Sequence, residues 1–125
     1  MLRFSPGTAH PLGSDAAMGV LTAAQVRRYI VARRERNLRA EGLFSDPAWD
    51  ILLELFASSL EGREVTVTGA CNAAACPQTT GLRYLRLMHD AGLIHRRDHR
   101  RDMRMKMISI TDEGRDFVQT FLTRL

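Results

Sequence analysis

The stretch PQTTGLRYLRLMHDAGLIHRRDHRRDMRMKMISI, Pro77 to Ile110, decides the fold. Its leading proline suits the first position of a helix, where a missing N–H costs nothing. Helix formers then run to about Ala91, and Gly92 stops them. Gly81 inside this helix weakens it slightly relative to alanine. Leu93 to Arg97 reads as a strand, and Asp98 to Met103 as a polar turn. From Arg104 to Ile110, polar residues alternate with Met105, Met107 and, less strictly, Ile108 and Ile110. Two such runs around a charged turn predict a β-hairpin directly after the helix.

Upstream, Glu64 to Val67 is β-branched and short, so it predicts a minor strand. Thr68 is placed to cap a short helix through about Ala75, which Cys76-Pro77 ends. Before it, Ser45-Asp46-Pro47 is a strong helix start, and Ala48 to Leu60 carries Trp49, Leu52, Leu53, Phe56 and Leu60 at three- and four-residue steps. Gly62 ends this helix, which reads as the centre of the core. Thr22 to Ala40 predicts another helix, with a modest stripe of Val26, Tyr29, Ile30 and Leu38 and arginines at 27, 28, 33, 34, 36 and 39. Those arginines are read as contacting flanking phosphates or as simply solvated. Downstream, Thr111 caps a last helix whose first turn holds Asp112 and Glu113, suited to its positive end. Its stripe is Phe117, Val118, Phe121, Leu122 and Leu125.

The predicted order is α-α-β-α-α-β-β-α: a mainly α domain with a small β-hairpin, in the winged helix-turn-helix arrangement. Residues 1–20, with Pro6, Gly7, Pro11, Gly13, Ser14 and Gly19, read as a flexible arm, and residues 21–125 as one domain. A chain of 125 residues, 45% apolar, fits a single modest core. No apolar run reaches the length of about 18 residues that a membrane helix needs, and the start has no signal-peptide core.

Charge is concentrated in the hairpin. Between Gly92 and Met107 stand Arg96, Arg97, Arg100, Arg101, Arg104 and Lys106 against Asp98 and Asp102, a surplus equal to the whole chain's net charge of +4. Such density on a short loop repels itself unless an anion lies close. Duplex DNA supplies one, because contacts to phosphates release counterions and arginine suits a narrow minor groove. In the preceding helix, Gln78, Thr79 and Thr80 occupy the first turn, with Arg83 and Arg86 beyond. Glutamine pairs with adenine, arginine with guanine, and threonine with phosphate or a thymine methyl. Leu85 and Met88 are expected to face the core, while Leu82 fits either the core or a thymine methyl. The candidate DNA-binding residues are therefore Gln78, Thr79, Thr80, Arg83, Arg86, Arg97, Arg100, Arg101, Arg104 and Lys106.

Three segments resemble the MarR-like family of bacterial winged-helix regulators, over roughly Phe44 to Leu122. Ala91-Gly-Leu-Ile94 followed by Arg96 is similar to that family's junction between recognition helix and wing. Asp102-Met-Arg104 is similar to its wing motif, in which an aspartate orients an arginine for the minor groove, although Met103 stands where a second arginine is common. Ile110-Thr111-Asp-Glu-Gly114 resembles the segment that closes the wing. The resemblance implies transcriptional control from a pseudo-palindromic site bound by a homodimer, whose second copy would cover apolar residues of the terminal helices. A protein-binding winged helix without base readout is the alternative, and RNA fits poorly for want of an aromatic stacking platform.

No catalytic constellation, phosphate-cradling loop or metal-spaced histidine pair is present, so neither enzyme activity nor a cofactor is expected. A small-molecule effector is conceivable but nothing in the sequence supports one. Asp50 and Glu54 read as an exposed polar face. Two cysteines, Cys71 and Cys76, are too few for a disulfide scaffold and point to a reducing cytoplasm. They read as buried, inert side chains rather than a redox pair, because thiols on a short helix ending in a turn need not face each other. Zinc would want closer spacing and more ligands than His89, His95 and His99 offer.

Overall fold

A computed structural model describes residues 21–43, 45–102 and 105–124. The arm at 1–20 and the positions Phe44, Met103, Arg104 and Leu125 lie outside them. Five helices and three strands follow in the expected order: α1 (Ala23–Arg39), α2 (Pro47–Leu60), β1 (Val65–Thr66), α3 (Val67–Ala73), α4 (Gln78–Asp90), β2 (Ile94–Asp98), β3 (Lys106–Ile110) and α5 (Asp112–Leu122).

Helix α2 sets the architecture. Asp46 caps it by accepting from the Trp49 N–H, and Pro47 opens the first turn. Every residue from Ile51 to Ser58 is buried, so for two turns the helix is covered all round rather than along one stripe. It packs against α1, α3, α4, α5 and β3, which makes it the central element. Ile51, Leu53, Leu55 and Phe56 are essentially fully buried, each contributing about 1.5–3 kcal/mol by leaving water. The expected stripe differs at its ends: Leu60 is exposed and Trp49 half-buried.

The polar reading of Asp50 and Glu54 is overturned. Glu54 is buried, and Arg27 of α1 grips it with both terminal nitrogens, at 2.6 and 3.0 Å. Ser58 donates to the same carboxylate at 3.1 Å. Arg27 also reaches Glu61 at 2.8 Å, which Arg63 holds from the other side, also at 2.8 Å. One turn pair further along, Arg33 binds Asp50 at 2.7 Å and lies over the Tyr29 ring. Arg34 donates to the Ala73 carbonyl of α3. Arg27 and Arg33, both half-buried, and the exposed Arg34 are thus engaged within the chain rather than aimed at a phosphate. They fasten α1 to its own chain, because the apolar stripe of α1 is too thin to do so: only Val26 is buried within it, and Leu38 is exposed.

The sheet has the order β1-β3-β2, with both pairings antiparallel. Val65 pairs with Ile108, Ile94 with Ile110 and Asp98 with Lys106. Strand β3 is central, which is why Met107, Ile108 and Ile110 are all buried instead of alternating strictly. Helix α3 begins two residues earlier than expected. Thr66, not Thr68, is its cap and accepts from the Gly69 N–H at 2.9 Å. Both threonines have the chemistry, but pairing of β1 with β3 ends at Thr66 and leaves that residue extended at the boundary. Pro77 likewise sits at the cap of α4, not in its first turn.

Candidate nucleic-acid interface

Helix α4 buries one side and leaves the other open. Gly81, Leu85 and Met88 face the core at helical spacing, as the sequence requires. Gln78, Thr79, Arg83 and Arg86 are exposed, and Thr80 is half-buried. Leu82 turns outward, 41% exposed, and Leu87 beside it is 54% exposed. Thr79, Leu82, Arg83, Arg86 and Leu87 line one shallow groove along the helix surface. Two cations flanking an apolar strip can engage phosphates or guanine edges while the leucines meet base methyl groups. Leu87 escaped the sequence reading, because at period 3.6 it sits between positions that pack and positions that do not.

The hairpin divides its charges into two sets. Arg97 forms a two-pronged ion pair with Glu64, just before β1. That hydrogen bond, more than the nearby charges, holds the Glu64 carboxyl below the usual carboxylate range and raises the Arg97 guanidinium. Lys106 pairs with Asp98 directly across the strands. Arg96, Arg100 and Arg101 are exposed, and no described carboxylate lies within ion-pair distance of them. Arg104 lies outside the described residues. Of the ten candidate residues, the described ones thus separate into exposed groups of α4 and the wing turn, the half-buried Thr80, and two hairpin cations already neutralised within the fold.

The wing turn has its own scaffold, which the sequence did not signal. His99 Nδ1 accepts from the Arg101 and Asp102 backbone N–H groups, at 3.1 and 3.3 Å. The His99 backbone N–H donates to the Met105 carbonyl at 2.9 Å. These bonds hold Arg100 and Arg101 on a defined bend rather than a loose loop.

The base of the hairpin explains two of the sequence motifs together. The Thr111 hydroxyl donates to the Gly92 carbonyl at 2.7 Å and accepts from the Gly114 N–H at 2.9 Å. A Cβ on Gly114 would overlap the Leu93 carbonyl oxygen. The segments 91–94 and 110–114, separate in sequence, therefore interlock, and they fix the angle at which the hairpin leaves α4.

No family model and no curated protein matches the sequence. Solved structures do match. A MarR family transcriptional regulator from Silicibacter pomeroyi is 24% identical, with a TM-score of 0.52 over 74% of this chain and 60% of its own. MepR of S. aureus in its DNA-binding conformation is 22% identical, with a TM-score of 0.57 over 81% of this chain and 74% of that one. The MepR–DNA complex is 20% identical at a TM-score of 0.53, over 78% of this chain and 77% of that one.

The fold is the MarR-type winged helix.

Within that fold, α3 and α4 are the helix-turn-helix, β2 and β3 the wing, and α1 and α5 the flanking helices of the winged-helix domain. Among the described residues of this winged helix, no cluster of three or more His, Cys, Asp or Glu is arranged to hold a metal, and no helix is long and apolar enough to cross a membrane.

Proposed function

We propose that this winged helix is a sequence-preferring regulator that binds duplex DNA in the cytoplasm as a homodimer, without catalysing a reaction. The open face of α4 carries the reading: Gln78, Thr79, Arg83 and Arg86 stand free of the core, next to a hairpin whose Arg96, Arg100 and Arg101 are exposed. A structural neighbour of the same fold solved as a DNA complex supports it. In the proposed docking, α4 enters the major groove, and Arg100, Arg101 and Arg104 of the wing take the minor groove and the phosphates. Arg97 and Lys106 contribute less, since each must first leave a carboxylate.

Selection from a random duplex pool, followed by titration at several salt concentrations, tests the proposal. Arg83→Ala should lose about 1–3 kcal/mol of discrimination at a single base pair. Arg101→Ala and Arg104→Ala should weaken binding to every sequence and reduce the salt slope by about 0.9 per lost phosphate contact, with Arg97→Ala giving a smaller change. A protein that enriches no sequence, with a salt slope indifferent to these arginines, is not a DNA-binding regulator.

A further inference from the structure

The turn between α3 and α4 is where the two cysteines meet. Helix α3 ends in a two-bond closing motif: the Cys76 N–H donates to the Cys71 carbonyl at 3.1 Å, and the Ala75 N–H to the Asn72 carbonyl at 3.0 Å. Ala75 takes the left-handed conformation this motif requires, with φ of 52°. A helix ended in this way brings the side chain two residues past its C-cap against the one in its last turn, a contact usually made by two apolar groups. Here the contact is thiol on thiol. The backbone itself, not a chance rotamer, makes Cys71 and Cys76 neighbours, contrary to the expectation that they need not face each other.

Both sulfurs also touch the recognition helix. A Cβ on Gly81 would overlap the Cys71 sulfur and lie 3.3 Å from that of Cys76. The two cysteines differ in access: Cys71 is 2% exposed and Cys76 half-buried. Burial, and then the Cys76 sulfur beside it, raise the Cys71 thiol above the ordinary thiol range, and Cys76 is the sulfur that meets solvent.

We propose that Cys71 and Cys76 form a hydroperoxide-reactive dithiol that closes to an intrachain disulfide within the helix-turn-helix and thereby displaces α4. The Cys76 thiolate attacks one peroxide oxygen; the O–O bond breaks and the leaving oxygen departs as water or alcohol after taking up a proton. The Cys71 sulfur then attacks the resulting Cys76 sulfenic acid. The S–S bond forms, the S–O bond breaks, and the hydroxyl leaves as water with the Cys71 proton. The peroxide gains the two electrons that the dithiol loses. Bond formation draws the two sulfurs, both packed beside Gly81, to about 2.05 Å from each other. A close-packed interior does not tolerate that rearrangement unchanged, so α4 shifts. The effect on DNA rests on the function proposed above; the thiol chemistry does not.

The test treats the full chain with hydrogen peroxide or cumene hydroperoxide. Wild type should lose both thiols, run as a single chain on a non-reducing gel, and regain both thiols with dithiothreitol. Cys71→Ser should stop at a Cys76 sulfenic acid that dimedone traps, and Cys76→Ser should keep its Cys71 thiol at the same dose. Affinity for a selected duplex should fall about tenfold on oxidation of wild type and stay level in Cys76→Ser. Retention of both thiols, a crosslink between chains, or equal oxidation of Cys71 without Cys76 overturns the dithiol. A disulfide that leaves affinity unchanged overturns its coupling to α4. A reduced protein that binds no duplex overturns the DNA reading instead, and the thiol counts still stand or fall by themselves.

Discussion

Glu54 shows how much one misjudged residue conceals. A carboxylate four residues from Asp50 on a capped helix has the pattern of a solvated face, yet it is 9% exposed and gripped by Arg27. Taking two charges partly out of water gains little, but stranding one of them is costly. Glu54→Ala should therefore destabilise the protein by about 2 kcal/mol, between the values for exposed and fully buried pairs, as read by urea unfolding. A loss below about 0.5 kcal/mol would mean the pair is idle. The same cluster predicts acid sensitivity. Hydrogen bonds first from Arg27 and then from Arg63 hold Glu61 at about 2, against an ordinary value of 4.5. A carboxylate depressed by folding adds stability that is complete above its unfolded pKa and lost as pH falls toward the folded one. The Glu61 contribution should fade between about pH 4.5 and 2, and Glu61→Gln should flatten the melting temperature across that window. Identical profiles for the two proteins would exclude this role.

Between elements, glycine fixes the closest approaches. Gly81 reads in sequence as a mild defect in α4, since alanine favours a helix by about 1 kcal/mol. Its place against Cys71 reverses that reckoning. Gly81→Ala would set a methyl group into the Cys71 sulfur and push α3 and α4 apart. The variant should lose about 1–3 kcal/mol despite its better helix propensity, and adding Cys71→Ala should restore part of it. Equal or greater stability of the single variant, by thermal or urea unfolding, would show that the contact has slack. The glycine was visible in the sequence; the neighbour that makes it necessary was not, because α3 and α4 meet only after the turn at 74–77 has formed.

At the scale of the molecule, the question is what covers the ends. The apolar stripe of α5 is largely satisfied within the chain: Val118 and Leu122 are fully buried, and Phe117 meets Trp49 of α2 edge-on and lies tilted against Phe121. The most exposed large apolar residues among the described ones are instead Val31 and Leu38 on α1, 61% and 74% exposed, and Leu43 after it, 76% exposed. The proposed homodimer would therefore close over α1 more than over α5. Light scattering should give twice the chain mass for wild type and a shift toward monomer for Leu38→Glu, with the melting temperature of the monomeric form little changed. A wild-type monomer at micromolar concentration would remove the dimer from the proposal.

By itself, the sequence determined the order of elements and the location of the cationic hairpin. Caps, proline and glycine stops, and hydrophobic spacing act over a few residues and need no partner to be legible. Thr111 as a cap, Leu85 and Met88 as core positions, and the hairpin itself all belong to that class. Tertiary structure alone decided which charges remain available. Arg27 and Arg33 were drawn to α2, Arg97 to Glu64 and Lys106 to Asp98, while Arg83, Arg86, Arg100 and Arg101 stayed exposed. An arginine looks the same in sequence whichever fate it meets. Coulomb attraction is set by distance and burial, and three of these four pairs join residues 17 or more positions apart.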